Sequence, residues 1–181
     1  MTKPSQVILL IEDSRHHQFI FRYLRTVGLE PRAMRIVRSP SGAGSAEQWV
    51  REQFAIEVGE YRGRHAKTKL IVVIDADTHT VHQRLRQLDQ ALQEAGITLI
   101  RDTEEIARLV PKRNIETWIL CLNDVPVDEA TDYKRPRNDW TELIRTAAVT
   151  LYGWSRSNTA VPPSCVESLQ FGIQELRKAG L

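Results

Sequence analysis

The chain has 181 residues, of which 41% are hydrophobic and 27% charged, and its formal net charge is +2. This length suits one main domain, the composition excludes disordered and fibrous proteins, and the net charge does not by itself indicate nucleic-acid binding. The two cysteines, Cys121 and Cys165, lack CxxC spacing, so neither a zinc ribbon nor a disulfide framework is predicted. Because no apolar run has the length of a signal-peptide core or a membrane span, the sequence predicts a cytoplasmic protein with no membrane partner.

The first 122 residues alternate apolar strands with amphipathic helices. Residues 7–12 form an apolar strand, and the helix that follows ends at Gly28. A second strand near residues 32–37 leads through the loop "RSPSGAGS" into a second helix. The third strand, residues 70–74, is a continuous apolar run, as expected of a strand buried on both faces of a parallel sheet. After a third helix, "ITLIRD" at residues 97–102 is predicted to be the fourth strand.

The composition changes in the last third of the chain. Residues 123–139 are polar and contain prolines, which indicates a linker. Two helices follow, at about residues 139–151 and 164–178, and the prolines of "VPPS" place Ser164 as the expected N-cap of the second. These helices carry apolar residues that need a surface to bury against.

Alternating strands and helices of this length are typical of the α/β class, in which right-handed crossovers produce a doubly wound, mainly parallel, Rossmann-like sheet. We therefore expect an α/β domain over residues 5–122. Residues 123–181 are expected to form a linker and a C-terminal helical extension that packs on this domain.

Acidic side chains end two of the predicted strands. Glu12 ends the first strand, and Asp75 and Asp77 end the third. Ligands of open parallel sheets bind beyond the carboxyl ends of the strands, so these side chains meet if the first and third strands are neighbours. Residues two apart on an extended backbone point to the same side, and oxygen ligands favour Mg²⁺ or Mn²⁺. The sequence thus predicts a metal site at Glu12, Asp75 and Asp77, unless the two aspartates only cap the next helix.

The loop after the second strand is a candidate phosphate-binding site. The backbone amides of Ser41, Gly42, Gly44 and Ser45 precede a helix and could bind a phosphate. Ser45 and Gln48 have the spacing of a capping box. The loop lacks the Gly-Lys-Ser/Thr ending of a P-loop, so it does not indicate ATP hydrolysis, and a plain turn explains it equally well.

The histidines allow a different metal site. His16 and His17 open the first helix, and His79 and His82 lie three residues apart after the third strand. These four side chains could bind zinc, although exposed helix histidines are the simpler explanation.

The opening of the chain, an apolar strand followed by two acids and a helix, is also typical of bacterial receiver domains. In that interpretation Asp75 is the phosphoacceptor, Thr98 or Thr103 takes the hydroxyl position and Lys112 the lysine position. Lys112 follows a proline, whereas receivers usually have a proline after the lysine, and the interval between the first acids and Asp75 is long for that family.

The segment "LVPKRNIETWILCL", residues 109–122, together with the three acids, resembles TOPRIM proteins, in particular small stand-alone bacterial members. The resemblance covers most of residues 5–180 and implies that Glu12 is the glutamate at the end of the first TOPRIM strand and that Asp75 and Asp77 hold magnesium. It also implies that the later basic and acidic positions are Lys112, Arg113 and Glu116.

The resemblance implies metal-dependent phosphoryl transfer. Topoisomerases and primases of this family need further domains, so a nuclease acting on DNA or RNA is the expected activity, in host defence or repair with a partner such as an ATPase. Lys112 or Arg113 would hold a phosphate oxygen while Glu12 moves protons. A non-catalytic subunit that binds metal or nucleic acid is the alternative. The linker's basic and aromatic side chains could contact a nucleic-acid backbone or simply face solvent: Lys134, Arg135, Arg137 and Trp140.

Overall fold

The computed structural model of this protein describes residues 4–40, 45–64, 67–134 and 139–181. Within these ranges it confirms the α/β class, because four parallel strands form one sheet with helices on both faces, as in a doubly wound, Rossmann-like fold. No helix in these ranges combines the length and the apolar character that a membrane span requires. The elements in chain order are β1 Gln6–Ile11, α1 Ser14–Thr26, β2 Met34–Arg38, α2 Ala46–Gly63, β3 Thr68–Val73, α3 Val81–Glu94, β4 Ile106–Leu109, α4 Ile115–Cys121, α5 Trp140–Ser155 and α6 Glu167–Lys178.

The strand order in the sheet is β2-β1-β3-β4. β1 pairs with β3 along its whole length, from Gln6 opposite Thr68 to Ile11 opposite Val73. This order confirms that the first and third strands are neighbours, which was the condition for the predicted acidic site. Because parallel strands end at one edge, the residues that follow β1 and β3 come together there.

The sheet separates two hydrophobic clusters, since successive strand residues point to opposite faces. Val7, Leu9 and Ile11 of β1 pack in a cluster with α1, α4, α5 and α6. Ile8 and Leu10 pack in a second cluster with α2 and α3. The strand is buried on both faces, which is why its sequence is an unbroken apolar run.

The fourth strand is Ile106–Leu109, so the prediction of a strand at residues 97–102 is wrong. The two isoleucines of that segment pack against the cluster of α2 and α3. Arg62 of α2 donates hydrogen bonds to the backbone carbonyls of Thr98 and Leu99 at 2.8 and 3.0 Å. An arginine remote in sequence therefore satisfies these backbone carbonyls, and the apolar composition of the segment does not require strand pairing.

The C-terminal helices share the cluster that contains α1 and α4. Two buried hydrogen bonds accompany this packing. The indole N–H of Trp118 in α4 donates to Oγ of Ser168 at 2.7 Å, and the hydroxyl of Tyr23 in α1 donates to Oγ of Ser155 at 3.0 Å. α5 and α6 are therefore part of the folded core.

α6 begins at Glu167, so the expected N-cap at Ser164 is wrong. The prolines form a turn before the helix, in which the N–H of Cys165 donates to the carbonyl of Pro162 at 3.0 Å. Val166 occupies the N-cap position and makes no side-chain capping bond. Proline and serine together indicated a helix start, but here they build the turn that precedes it.

Gly172 lets α6 approach the indole ring of Trp118, because a Cβ at this position would overlap the ring. We expect Gly172→Ala to lower the free energy of unfolding by about 1–3 kcal/mol, measured by urea titration. Gly153→Ala in α5 is the matched control, since no atom lies within 4 Å of its added Cβ. Helix propensity should make that control about 0.5–1 kcal/mol more stable than wild type. Equal stability of the two variants would contradict close α6–Trp118 packing.

Candidate metal centre

Acidic side chains from three parts of the chain meet at the carboxyl edge of the sheet. Glu12 follows β1, Asp75 lies two residues beyond the end of β3, and Glu116 is in the first turn of α4. The backbone N–H of Asp75 donates to Oε2 of Glu12 at 3.3 Å. The pairing of β1 with β3 thus brings together two of the residues on which the sequence prediction rested.

Asp75 is at the centre of this edge, and its side chain is fully buried. Its Oδ1 lies 2.9 Å from Nε2 of His16, and its Oδ2 lies 3.2 Å from Nζ of Lys134. Its backbone carbonyl accepts a hydrogen bond from Nε of Arg84, a buried residue of α3, at 3.0 Å. A buried carboxylate needs a compensating charge, and here two cationic side chains provide it.

Asp13, His16 and Asp75 form a compact group that could hold a metal ion, since one ligand atom from each lies within 4.8 Å of the others. Asp13 is the N-cap of α1, and its Oδ1 accepts hydrogen bonds from the N–H groups of Arg15 and His16 at 2.8 and 3.0 Å. This cap fixes the first turn of α1 and directs His16 toward Asp75. Nδ1 of His16 is buried and has no hydrogen-bond partner.

This group overlaps the sequence-predicted metal residues only at Asp75. Glu12 contacts the backbone of Asp75 but is not a member of the compact group, and sequence reasoning did not include Asp13 or His16 in the magnesium site. A signal for both was present. An N-cap aspartate followed three residues later by a histidine places the two side chains in the same first helical turn.

The structure overturns the geometric argument for Asp77. β3 ends at Val73, and Asp77 has φ of 53°, so the Asp-x-Asp segment is not an extended strand. The alternative that these aspartates cap the next helix is also wrong, because Thr80 caps α3 in a reciprocal capping box with Gln83. Asp77 remains electrostatically coupled to the site, since burial and the charge of Asp75 raise its pKa.

Burial and neighbouring charges raise the pKa of two further carboxyls. For Glu12 the main cause is burial, to which the charges of Asp75 and Asp77 add. For Glu116 burial again contributes most, and Asp75 and Asp13 add to it. Carboxyls packed this closely repel one another once ionised, and cations relieve this repulsion.

Two cations within the site act against this repulsion. Burial alone would lower the pKa of His16, but the charge of Asp75 and the hydrogen bond to it raise that pKa to about 9. The same two interactions with Asp75 raise the pKa of Lys134 despite its partial burial. An imidazolium and an ammonium group therefore neutralise the acids. A bound metal ion would compete with both.

The segment "KRNIE" supports the site from one side. Glu116 is buried, its Oε1 lies 3.4 Å from Nε of Arg15, and its Oε2 has no hydrogen-bond partner. Asn114 is the N-cap of α4, and its Nδ2 donates to Oδ1 of Asp132 at 3.0 Å. The same oxygen accepts the backbone N–H of Lys134 at 2.9 Å. This chain of contacts holds the linker where Lys134 reaches Asp75.

The two basic residues of this segment differ in their relation to the site. The pKa of Asp77 is raised overall, but the positive charge of Arg113 partly opposes this rise. Arg113 therefore lies near Asp77, at the same edge of the sheet. Lys112 is half-buried and makes no hydrogen bond or ion pair with the described residues. The lysine that contacts Asp75 is therefore Lys134, from the linker, and not Lys112, which the receiver interpretation required.

Of the predicted phosphate loop, Ser41, Gly42 and Gly44 lie outside the described residues. Ser45 is the N-cap of α2, and its Oγ accepts the N–H of Gln48 at 3.3 Å. The Gln48 side chain donates to Glu52 instead of completing a capping box.

Of the four histidines considered for zinc, the compact group contains only His16. The ring of His17 packs edge-on against Phe21, with ring centroids 5.4 Å apart. His79 is half-buried and His82 is exposed. A zinc site made of the four histidines therefore has no support among the described residues.

A cavity of about 530 Å³ lies away from this centre, lined by residues that include Pro4, Leu29, Tyr152 and Leu181. Pro4 precedes β1, which places the cavity toward the amino-terminal edge of the sheet, and no acidic residue is among its lining. The cavity is therefore separate from the acidic centre.

Comparison of the chain with models of protein families, with curated proteins and with solved structures finds no match.

Proposed function

We propose that this protein is a divalent-metal-dependent phosphodiester hydrolase of the TOPRIM type that acts on nucleic acid. The observation that carries the proposal is the convergence of Glu12, Asp75 and Glu116 at the carboxyl edge of a parallel sheet, beside the Asp13–His16–Asp75 group. This is the edge at which open α/β sheets bind their ligands.

The donor set fits a divalent cation. Carboxylate oxygens predominate, which favours Mg²⁺ or Mn²⁺, and the imidazole nitrogen of His16 is a donor that Mn²⁺ accepts more readily than Mg²⁺. Among the described residues, two buried atoms that could bind a metal, Nδ1 of His16 and Oε2 of Glu116, have no hydrogen-bond partner, and Oδ2 of Asp75 has only the ion pair with Lys134. Such atoms are rare in folded proteins, and coordination would satisfy them.

The surrounding residues suit phosphodiester hydrolysis. When bound, the metal would stabilise negative charge on the phosphate and lower the pKa of a water molecule. Glu12, whose pKa is raised, is suited to accept a proton from the attacking water. Lys134 and Arg113 carry positive charge at the same edge, where they would bind phosphate oxygens. In this proposal Lys134 and Arg113 take the phosphate-binding role that the TOPRIM resemblance gives to Lys112 or Arg113.

The test is cleavage of labelled DNA and RNA, single- and double-stranded, by purified protein with Mg²⁺ or Mn²⁺. We expect Glu12→Gln to lower the rate by about 10²–10⁴-fold, because it removes the proton acceptor while keeping the shape of the side chain. Glu167→Gln, an exposed residue of α6, is the matched control and should cleave at the wild-type rate.

The outcomes separate the alternatives. Cleavage by Glu12→Gln at the wild-type rate would remove Glu12 from the mechanism. A wild-type protein that binds nucleic acid without cleaving it would support the non-catalytic subunit, which acts with a partner such as an ATPase. Labelling of Asp75 by acetyl phosphate would support the receiver, although the complete burial of this side chain does not favour it.

A further inference from the structure

A groove of about 520 Å³ runs between α1 and α5. Its lining is basic and partly aromatic, and none of the described residues that line it is acidic. Three arginines with exposed side chains contribute most of the charge: Arg22, Arg25 and Arg145. His17, Gln18 and Phe21 also line the groove. A local concentration of positive charge of this kind is notable in a protein whose net charge is only +2.

The groove and the acidic centre share one helix, since α1 contributes residues to both. The first turn of α1 carries His16, and the groove residues follow along the same helix. Arg15 joins the two regions. Its Nε lies 3.4 Å from Oε1 of Glu116, and its NH1 donates to Oε1 of Gln18 in the groove at 3.0 Å. The guanidinium of Arg15 also lies 4.6 Å from the ring centroid of Trp140, at the start of α5.

The ion pairs that the groove arginines make are surface pairs, and Arg25 also donates a hydrogen bond to the backbone carbonyl of Leu29 at 2.9 Å. Arg25 pairs with Glu30 at 3.1 Å, and Arg145 pairs with Glu142, but all four side chains are well exposed. Such pairs contribute little to stability, so a phosphate could replace the carboxylate in either. Arg22 has no acidic partner among the described residues.

The aromatic rings indicate which kind of polyanion fits. Phe21 lines the groove together with the arginines, and the ring of His17 packs edge-on against it. Arginines that track a phosphate backbone beside aromatic rings that stack on bases are typical of sites for single-stranded nucleic acid.

We propose that the groove between α1 and α5 binds a single-stranded nucleic acid and leads its backbone to the acidic centre. This inference rests on the proposed function, whose substrate class it specifies. From Arg15 to Arg25, α1 extends for about 15 Å, which is room for a short stretch of a single strand. Bases of a duplex are paired and stacked, whereas unpaired bases can stack on Phe21.

The test measures binding without cleavage, by fluorescence anisotropy of a fluorescein-labelled oligothymidylate in EDTA. We expect Arg22→Glu and Arg145→Glu each to raise the Kd at least about tenfold. Each variant should also reduce the slope of log Kd against log salt concentration by about 0.7, which corresponds to the loss of one phosphate contact. Arg86→Glu, an exposed arginine of α3 on the opposite face of the sheet, is the matched control and should leave the Kd unchanged. Phe21→Ala should weaken binding without changing the salt slope, because it removes stacking alone.

Three results would overturn the inference. They are no binding of the oligothymidylate by wild type, equal loss of affinity in Arg86→Glu and the groove variants, or tighter binding of a duplex of the same length that the groove variants do not affect. Because EDTA prevents metal-dependent cleavage, these results concern the groove alone, and the nuclease proposal is tested separately by Glu12→Gln. Circular dichroism melting curves of each variant check that the fold is retained.

Discussion

Asp75→Asn is expected to abolish the gain in melting temperature that Mg²⁺ or Mn²⁺ gives the wild-type protein. A metal that binds only the folded form at a hundredfold excess over its Kd adds about 2.7 kcal/mol, which is about 5–10 °C for a chain of this size. Asp75 belongs both to the compact Asp13–His16–Asp75 group and to the set predicted from the sequence, so either geometry requires it. Differential scanning fluorimetry with and without EDTA measures the effect.

The same variant should be less stable in EDTA. His16 and Lys134 both pair with the Asp75 carboxylate. Neutralising this carboxylate leaves the buried His16 and the partly exposed Lys134 without their main counter-charge. Removing one partner of a buried ion pair typically costs about 3–5 kcal/mol. Asp102→Asn, at a fully exposed side chain, is the matched control and should melt as wild type does, apart from the loss of a surface pair with Lys178.

Asp77→Asn decides between the two ligand sets. If the metal is held by Asp13, His16 and Asp75, this variant keeps most of the metal-induced shift. If it is held by Glu12, Asp75 and Asp77, the shift is largely lost. In EDTA the variant should melt higher than wild type in either case, because a charge that Asp75 repels has been removed. A wild-type protein that shows no shift with either metal would contradict the metal centre altogether.

Raising the pH through 9 is expected to destabilise the metal-free protein. The pKa of His16 is raised from 6.5 to about 9 in the folded state. The stability that its charged form contributes is therefore fully present below about pH 6.5 and is lost as the pH rises through about 9. A shift of this size corresponds to a loss on the order of 3 kcal/mol.

Urea titrations of wild type and His16→Gln at about pH 6.5 and pH 9.5 measure this loss. The difference in pH dependence between the two proteins separates the contribution of His16 from that of other groups that titrate in the same range. Cys121 is one such group, because its contact with Cys165 lowers its pKa to about 7. His82→Gln, at an exposed residue of α3, should retain the wild-type dependence. An identical pH dependence in wild type and His16→Gln would show that folding does not raise the pKa of His16.

Local sequence pattern determined the class of this fold and part of its site. The apolar runs of β1 and β3 are buried on both faces, and burial is what such runs report. The strands are parallel, so the ends of β1 and β3 lie at one edge, and the acids that follow them in the sequence, Glu12 and Asp75, meet there. The assignment to the TOPRIM family remains a prediction.

Tertiary structure alone decided which side chains compensate those acids. Lys134 lies in a linker without hydrophobic periodicity, and it reaches Asp75 because Asp132 and Asn114 hold the linker against α4. Cys121 and Cys165 are distant in sequence and have no motif spacing, yet both are buried and close enough for Cys165 to lower the pKa of Cys121.

Local pattern did not predict the backbone partners of the apolar segment at residues 97–102, since Arg62 rather than a neighbouring strand binds its carbonyls. Local pattern also did not predict the direction of the Asp77 side chain, because the left-handed turn after β3 and not the residue spacing sets it. Periodicity in a sequence reports which residues are buried. The contacts between remote polar groups depend on the path of the whole chain, which no local pattern encodes.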